Sequence, residues 1–492
     1  MINDFIIVGG GNAGFISALI LHASFPGKKI TIIESEKIGT IGVGESSSEH
    51  FADFCRFCRI PLLDLILNAK TTFKNGVYFE GWSDEDYLHN ISSYDCALAS
   101  GNHYPYMQNV VANKKPNYEM SQKGSWDNQV SLHYFNTLDN SPTHQFHFDT
   151  QALNNYLRGV CKTRGIEIIK DRIDSIDINS ETGNIDSVNG SNMMMIGKAQ
   201  KYEADFFIDC SGFSRLLLGK GLGVKWKSYS EYLPLNSAIA FATDEMEEYN
   251  MYTKSTARDY GWSWQIPTQG RTGNGYVFCD RFIDEDQAHQ EMEKVYGQEI
   301  TVNKKFKFDP GRLEKAWYKN CYAVGLSQSF VEPLEATAMG SVVQQMYTFI
   351  HYLPSNSVDE CNNEVNAVFD NIFDYVQAHY LVKREDTPFW KDVKNNLKLT
   401  SSLKSLLDLW KNRFPQSNDI RCKFGLFTAV NYIPILYGLK WFDTDKIAKE
   451  YEYLKHIPVT QWDDTMVDTI RLSHKHFIDQ SVKTYNLNRK KY

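Results

Sequence analysis

The stretch FIIVGGGNAG, residues 5–14, decides the fold of this chain. Its first four residues form a short, continuous apolar run, which is typical of a strand buried on both faces. A glycine-rich turn follows, and then come the helical pattern FISALILHA (15–23) and a second apolar run, KITIIE (29–34). Strand, glycine turn, helix, strand and acid in this order predict a βαβ unit that binds a dinucleotide.

Each glycine of this turn has a separate expected task. Gly9 permits the tight turn, Gly11 lets a pyrophosphate approach the backbone, and Gly14 packs the helix on the strand. The N–H groups at the helix start would hold the phosphate, and Glu34 would bind the ribose hydroxyls. Ala13, in the same turn, is assigned to the cofactor site as well.

Later glycine-bearing segments indicate which dinucleotide binds. The loop GTIGVGESSSEH (39–50), which on its own could be only a flexible turn, contributes Gly44, Glu45 and Ser46. The strand of YEADFFIDCSGFSRLL (202–217) ends at Asp209, and CYAVGLSQSF (321–330) supplies Gly325. A nicotinamide enzyme needs only one such fingerprint. Several glycine-bearing segments on one phosphate-binding sheet indicate a larger cofactor spread over it, and FAD fits best.

The remaining periodicities predict an α/β fold of the flavin-monooxygenase type. A Rossmann-like FAD-binding module covers residues 1–350 and contains an inserted antiparallel sheet at about 221–310, which faces the substrate. A helix is expected over 150–163. Helical spacing prevails in residues 351–492, so this C-terminal region is expected to be mainly helical and to pack over the substrate pocket.

Composition excludes several classes of function. The 492 residues carry a net charge of -8, which argues against general nucleic-acid binding. No apolar run reaches the roughly 18 residues of a transmembrane helix, and the N-terminus has no targeting pattern. Nine scattered cysteines, with one lone CxxC (Cys55, Cys58), favour free thiols in a reducing cytoplasm over a metal site.

The segment GWSWQIP (261–267) contains two tryptophans on alternate positions. In a strand, Trp262 and Trp264 would stand side by side on one face. They could be ordinary core residues, or they could form an indole wall around a reactive species. The spacing alone leaves both interpretations open.

Several motifs in order resemble one family, the flavin-dependent halogenases of the tryptophan-halogenase type. The resemblance covers almost the whole chain, and GWxWxIP and PLE(S/T) carry its specificity. The matching segments are the GxGxxG turn, GVGES (42–46), FKNGVYFEGW (73–82), FHFD (146–149), IDCSGF (208–213), GWSWQIP, GNGYVF (273–278), FVEPLEATA (330–338) and HYLVKREDTPFW (379–390).

The resemblance implies a reaction in two places. Reduced FAD and oxygen convert a halide ion to hypohalous acid, which travels through a tunnel to a separate pocket. There a lysine, matching Lys74, and a glutamate, matching Glu335, direct it to an aromatic substrate. The resemblance places the halide at Thr337 and Ala338.

Further residues and partners follow from the same resemblance. A separate NADH-dependent flavin reductase would supply reduced FAD, the substrate would be a small indole-like or phenol-like molecule, and a homodimer is possible. The additional flavin neighbours would be Ile173, Leu326 and Val342, and the tunnel residues Trp262, Trp264, Ile266 and Pro267.

The chemistry of the two proposed catalytic residues agrees with this scheme. A buried lysine has a lowered pKa, and its amine can donate a proton or carry the halogen. A carboxylate stabilises the cationic ring intermediate and can remove the ring proton. The ordinary alternatives are a surface lysine at Lys74 and a helix N-terminal acid at Glu335, with Glu332 as a competing assignment.

Two departures from the family pattern keep other functions open. Ala336 replaces a serine and Ala338 a glycine, which affects halide affinity and leaves chloride, bromide and iodide as candidates. An aromatic hydroxylase on the same fold is the main alternative, and a flavin-binding protein without catalysis is the third.

Overall fold

The computed structural model describes residues 2–36, 45–90, 103–120, 128–131, 145–193, 199–456 and 471–489. A six-stranded sheet organises the first half of the chain. Its strands, in spatial order, are Trp317–Tyr318, Cys321–Ala323, Phe206–Asp209, Asp4–Val8, Lys29–Glu34 and Glu167–Lys170. All pairs are parallel except the edge hairpin, which matches the continuous apolar runs predicted for strands buried on both faces.

A seven-stranded sheet lies beside this module. Its order is Val302–Lys307, Ser237–Thr243, Arg271–Phe278, Gly261–Thr268, Tyr252–Arg258, Gly76–Glu80 and Tyr87–Asn90. The pairs are antiparallel except that of Tyr252–Arg258 with Gly76–Glu80. The sheet therefore recruits strands from well before residue 221.

The FKNGVYFEGW segment is divided between two sheets. Thr72–Lys74 pairs with Gln145–Phe148 in a small sheet that also holds Glu45–Ser46. The chain leaves this sheet at Asn75, whose amide donates to the carbonyl of Met251, 2.6 Å away. The segment thus forms two short strands, Thr72–Lys74 and Gly76–Glu80, and Lys74 is the last residue of the first. Three smaller sheets are also present among the described residues. One contains Ile173–Ile178, Ile185–Met193 and Ala199–Glu203, and another contains Trp226–Ser228, Gly311–Leu313 and Ser329–Phe330. The third pairs Gln129–Ser131 with Arg471–Ser473.

Helices cover the first sheet and make up most of the C-terminal third. The predicted helix over 150–163 is confirmed, with the carboxylate of Asp149 accepting from the amide of Ala152 as its N-cap. The α-helices are Asn12–Ser24, Glu49–Phe57, Leu62–Asn68, His103–Ala112, Thr150–Thr163, Glu285–Tyr296, Thr337–Tyr352, Val358–Ala378, Pro388–Asn396, Ser401–Trp410, Ala429–Gly438, Thr444–Tyr451 and His474–Arg489. Within the described residues, none of them is long and apolar enough to cross a membrane.

Two large apolar cores hold these layers together. One lies around the first helix and the parallel sheet, and contains Phe15, Leu19 and Phe349. The other lies between the seven-stranded sheet and the C-terminal helices, with Trp82, Trp262 and Trp390 among its largest side chains. Both cores border the cavity described next, so its walls are firmly packed.

Candidate active site

A cavity of about 850 Å³ starts at the carboxyl ends of the parallel strands and reaches the seven-stranded sheet. Gly9 to Ala13 and Glu34 line one end, whereas Trp262, Trp264 and Glu335 line the other. Crevices at the carboxyl ends of parallel strands are the usual ligand sites of such sheets. The cavity therefore joins the dinucleotide fingerprint to Glu335, whereas Lys74 is not among its lining residues.

The glycine turn has the geometry that a bound pyrophosphate needs. Gly9 has φ +125°, and a Cβ there would lie 2.1 Å from the carbonyl oxygen of Cys210. At Gly11, by contrast, a Cβ would meet no atom within 4 Å, so open space lies above the start of the first helix. The residues present therefore fit a dinucleotide such as FAD.

Glu34 lies at the end of its strand, as predicted, and forms an ion pair with Arg158. It is 7% exposed and lines the cavity. Arg158 also donates to the side chain of Asn154, whose amide reaches Gly10 and Asn12. The helix Thr150–Thr163, which carries Asn154 and Arg158, thus orients the Glu34 carboxylate and stabilises the glycine turn.

The other predicted cofactor residues divide into three groups. Ala13, Glu45, Ser46, Ile173, Gly325, Leu326 and Val342 line the cavity. Gly14 and Asp209 lie outside its lining: Gly14 packs against the carbonyl of Gly9, and Asp209 accepts from the amides of Ser211, Leu217 and Leu218. Gly44 lies outside the described residues.

Glu335 lies on an unusual piece of backbone. Glu335 and Ala336 both have left-handed conformations, with φ of +67° and +58°. Such conformations cost non-glycine residues on the order of 1–3 kcal/mol each, and they concentrate at functional sites. The turn directs the Glu335 side chain inward, where it is 2% exposed, and the next helix begins at Thr337.

Two histidines hold one oxygen of the Glu335 carboxylate. Nδ1 of His89 lies 2.8 Å and Nε2 of His379 lies 3.1 Å from Oε1. Burial by itself would raise the pKa of Glu335, but His89 and His379 outweigh it and lower the pKa to about 2. Among the described residues, Oε2 has no hydrogen-bond partner, so one oxygen of an ionised, buried carboxylate remains available.

Lys74 is fully buried, which excludes the surface alternative. Its ammonium group donates to the carbonyl of Ser47 at 3.0 Å and to Oγ of Ser46 at 3.5 Å. Burial lowers the pKa of Lys74 to about 8, although the charges of Glu335 and Glu49 act in the opposite direction. The fold therefore brings Lys74 and Glu335 close enough to interact electrostatically.

The helix Thr337–Tyr352 presents its N-terminus to the cavity. Thr337 and Ala338 line the cavity, and in the described part of the chain no side chain caps this helix. Free N–H groups and the helix dipole at such an end attract an anion. Ala338 is an ordinary helical residue, and the left-handed backbone of this segment lies just before the helix, at Glu335 and Ala336.

The two tryptophans stand side by side, as predicted, with ring centroids 6.1 Å apart. Both line the cavity together with Ile266, whereas Pro267 lies beyond the lining and its carbonyl accepts from Thr72. Trp262 is 2% exposed, and its indole N–H donates to Glu332 at 3.5 Å. The pair is therefore both well packed and part of the cavity wall.

Glu332, the competing glutamate, has a different environment from Glu335. It is buried beside Trp262 and does not line the cavity. Burial raises its pKa to about 7, and the neighbouring side chains of Tyr380 and Trp262 act in the opposite direction. A carboxyl group with this pKa is partly protonated at neutral pH, in contrast to the ionised Glu335.

Sequence reasoning missed the groups that control Glu335. His379 lies in the quoted HYLVKREDTPFW segment without an assigned role, and His89 lies in the strand Tyr87–Asn90. The hydroxyl of Tyr375 lies 2.8 Å from Nδ1 of His89 and joins the same cluster. Histidines within apolar stretches were the available signal, but the sequence did not show that they meet one carboxylate.

Comparison with known proteins agrees with this geometry. The sequence profile of tryptophan halogenases matches residues 4–451. A 7-chloro-L-tryptophan 6-halogenase, KtzR of Kutzneria sp. (strain 744), is 28% identical over 480 residues, covering 88% of this chain and 90% of its own. Among solved structures, a tryptophan halogenase from Shewanella frigidimarina NCIMB 400 superposes with a TM-score of 0.85 at 24% identity, covering 98% of both chains.

A second solved structure has higher sequence identity. Tar14, a tryptophan C-6 flavin-dependent halogenase (chlorinase) from taromycin biosynthesis, is 26% identical with a TM-score of 0.83, and the match covers 98% of this chain and 100% of that one. The fold and site thus define a flavin-dependent oxidoreductase. The chain belongs to the tryptophan halogenase family. It is a flavin-dependent halogenase of aromatic substrates that uses reduced FAD, dioxygen and halide.

Proposed function

We propose that this enzyme halogenates a small indole-like or phenol-like molecule with hypohalous acid, which Lys74 and Glu335 direct onto the aromatic ring. The observation that carries the proposal is a fully buried amine, Lys74, which contacts the cavity-lining Ser46 and lies within electrostatic reach of the buried carboxylate of Glu335, itself part of the lining. In the overall step, the halogen of hypohalous acid replaces one ring hydrogen and water leaves.

The cofactor's contribution is confined to the other end of the cavity. The turn Gly9–Gly14 would hold reduced FAD, which would supply the oxygen activation that oxidises the halide. The N-terminus of the helix Thr337–Tyr352 holds the halide through the amides of Thr337 and Ala338. Open space at Gly11 and the uncapped helix end in the described residues support these two positions.

Lys74 activates and positions the hypohalous acid. Its Nζ–H polarises the oxygen of hypohalous acid, or the neutral amine takes up the halogen as a haloamine. A pKa of about 8 makes both forms of the amine accessible near neutral pH. The contacts with Ser46 and Ser47 hold Nζ in one place, which fixes the ring position that reacts.

Glu335 handles the ring proton. Attack by the electrophile generates a cationic ring, and an ionised carboxylate in a dry site stabilises it strongly. Oε1 is held by His89 and His379, so Oε2 is the oxygen that accepts the departing proton. General-base catalysis of this kind contributes roughly 10²–10⁴-fold in rate.

The tryptophan pair favours halogenation over hydroxylation. A hydroxylase must let its substrate touch the flavin, whereas Trp262 and Trp264 line the cavity with bulky rings. We propose that these rings keep the aromatic substrate away from the flavin while hypohalous acid passes along Ile266, which lines the same cavity. We further propose a separate NADH-dependent flavin reductase as the electron donor and a homodimer as the oligomeric state.

The test is to supply FAD, a flavin reductase, NADH and each halide in turn to the enzyme with a panel of electron-rich indoles and phenols. The mass of the product is then measured. We expect one halogen per product, and no halogenated product from Lys74→Ala although FAD binding and peroxide release persist. Hydroxylated products without halogen would contradict the proposal, and full activity in Lys74→Ala would contradict the role of Lys74.

A further inference from the structure

The strand that carries Lys74 is short and lies at the edge of its sheet. Thr72–Lys74 pairs with Gln145–Phe148, with Thr72 opposite His147 and Lys74 opposite Gln145. In an antiparallel pair, alternate residues direct their amide groups away from the partner strand. Phe73, which lies opposite Phe146 between those two pairs, therefore needs an acceptor for its amide on the outer edge of the strand.

A histidine from the C-terminal segment supplies that acceptor. The amide of Phe73 donates to Nε2 of His474, 2.9 Å away, although 401 residues separate them. Nδ1 of His474 lies 3.2 Å from the carbonyl oxygen of Tyr249. A neutral ring with its proton on Nδ1 satisfies both contacts at once.

The His474 ring is held on its faces as well as at its nitrogens. It is 0% exposed and stacks on the Phe73 ring at 5.7 Å with an interplanar angle of 20°. The Tyr249 ring meets it edge-on at 5.6 Å. Burial lowers the pKa of His474 to about 3, against its hydrogen bonds to Tyr249 and Asn250, so the ring is neutral near pH 7 and Nε2 remains an acceptor.

The backbone around His474 is anchored independently of Phe73. The preceding strand Arg471–Ser473 pairs with Gln129–Ser131, and the amide of Lys475 donates to Glu248 at 2.8 Å. The ammonium group of Lys475 lies 3.1 Å from Glu245. The position of His474 is therefore fixed independently of the strand Thr72–Lys74, and its side chain can hold that strand in place.

We propose that His474 is a positioning residue for Lys74, which acts by fixing the strand Thr72–Lys74 through the Phe73 amide. This inference rests on the proposed function of Lys74. A shift of a three-residue edge strand moves Lys74 away from the carbonyl of Ser47 and from Glu335, because side chains alternate between the two faces of a strand. Hypohalous acid then escapes instead of reacting with the aromatic ring.

Two variants and one control separate this role from a general loss of stability. His474→Phe keeps a ring that can stack on Phe73 but removes the acceptor. His474→Gln offers an amide oxygen to Phe73 and an amide N–H to Tyr249. His476→Leu changes an exposed histidine two residues further along the same helix and serves as the matched control.

The first measurement does not depend on catalysis. Hydrogen exchange of the Phe73 amide, followed by mass spectrometry, should be at least about tenfold faster in His474→Phe, since a lost hydrogen bond changes an opening equilibrium by roughly this factor. His474→Gln and His476→Leu should exchange like the wild type. Unchanged exchange in a folded His474→Phe would overturn the proposed contact.

The second measurement is the amount of halogenated product per oxygen consumed, with a scavenger that traps released hypohalite. We expect about a tenfold loss of product and a matching gain of trapped hypohalite in His474→Phe, with FAD affinity and oxygen consumption retained. A purely structural role would lower FAD binding and melting temperature and leave this ratio unchanged, which would overturn the proposal.

The remaining outcomes are also decisive. If His474→Phe does not fold, wild-type exchange and product yield in His474→Gln support the proposal, and loss of either in a folded His474→Gln overturns it. If the wild type halogenates no aromatic compound, the proposed function fails. The exchange measurement still decides whether His474 fixes the strand.

Discussion

The Nδ1 atom of His89 lies 2.8 Å from Oε1 of Glu335, although 246 residues separate the two along the chain. His379 approaches the same oxygen at 3.1 Å. This arrangement keeps a fully buried carboxylate ionised and leaves Oε2 without a partner among the described residues. The site therefore contains a base whose charge depends on two histidines from different elements.

Removing the charge of Glu335 should stop turnover without removing the cofactor. In Glu335→Gln, we expect the halogenation rate to fall by roughly 10²-fold or more, since an amide cannot take the ring proton. FAD affinity should stay near the wild-type value. The control is Glu332→Gln, which changes a buried carboxyl outside the cavity lining; an equal loss there would contradict the assignment to Glu335.

The histidine pair should set the acidic limit of activity. The pKa of Glu335, about 2, lies below its ordinary value, so the wild type should lose no rate through this group between pH 5 and 8. In His89→Leu the burial effect is opposed less, the pKa rises, and the rate should fall as pH decreases through it. Single-turnover product formation against pH measures this limit. His89→Gln, which keeps a donor, should shift it less, and identical profiles for both variants would contradict the model of histidine control.

Lys74 should give the halogenation step an inflection near pH 8. Its folded-state pKa is about 8 because burial disfavours the ammonium form. A rate that rises through this pH identifies the neutral amine as the reactive form, and a rate that falls identifies the proton donor. An inflection near the ordinary lysine value, about 10.4, would contradict the buried environment.

The same lysine should affect stability with a definite sign. Since its pKa is lower in the folded state, the unfolded state binds more protons between pH 8 and the ordinary value. The free energy of unfolding should therefore rise with pH across this window, and it should lose that slope in Lys74→Met. Denaturant unfolding at several pH values measures the slope. Lys114→Met, at an exposed ion pair, is the control and should keep it.

Trp264 should contribute more to the retention of hypohalous acid inside the enzyme than to the stability of the fold. Trp264→Ala opens the cavity wall, so we expect more released hypohalite per oxygen consumed and less halogenated product. A Cβ at Gly275 would lie 2.0 Å from the Trp264 ring, so Gly275→Ala should displace the ring and leak in the same way. A scavenger assay with melting temperatures in parallel decides the point. Loss of folding without added leakage in either variant would mean that Trp264 serves the core only.

Substitution of Gly11 and of Gly14 in the cofactor turn should have different effects, the first on FAD binding and the second on stability. At Gly11 a Cβ meets nothing within 4 Å, so Gly11→Ala should fold normally but bind FAD at least about tenfold more weakly, because the methyl group occupies the space for phosphate. At Gly14 a Cβ would lie 2.0 Å from the carbonyl oxygen of Gly9, so Gly14→Ala should lower the melting temperature itself. Flavin titration and thermal unfolding separate the two effects. Unaltered FAD affinity in Gly11→Ala would contradict the proposed phosphate position.

Local features of the sequence predicted much of the fold. The apolar run before Gly9, the glycine spacing and the acid at Glu34 identified the βαβ unit, and the structure has it at those residues. Alternation in GWSWQIP placed both tryptophans on one strand face. The division of the chain near residue 350 and the roles of the individual site residues stay predictions.

The sequence by itself determined the class of cofactor and the strand and helix pattern of the βαβ unit, because these depend on short-range spacing, whereas the resemblance to a known family indicated the two residues proposed for catalysis. Only the tertiary structure decided that His89 and His379 meet at Glu335, that Lys74 is buried against Ser47, and that His474 reaches the Phe73 amide. The physical reason is that these contacts join residues far apart in the chain. These hydrogen bonds, and the lowered pKa values of Glu335, Lys74 and His474, arise only when folding brings the groups together and excludes water from them.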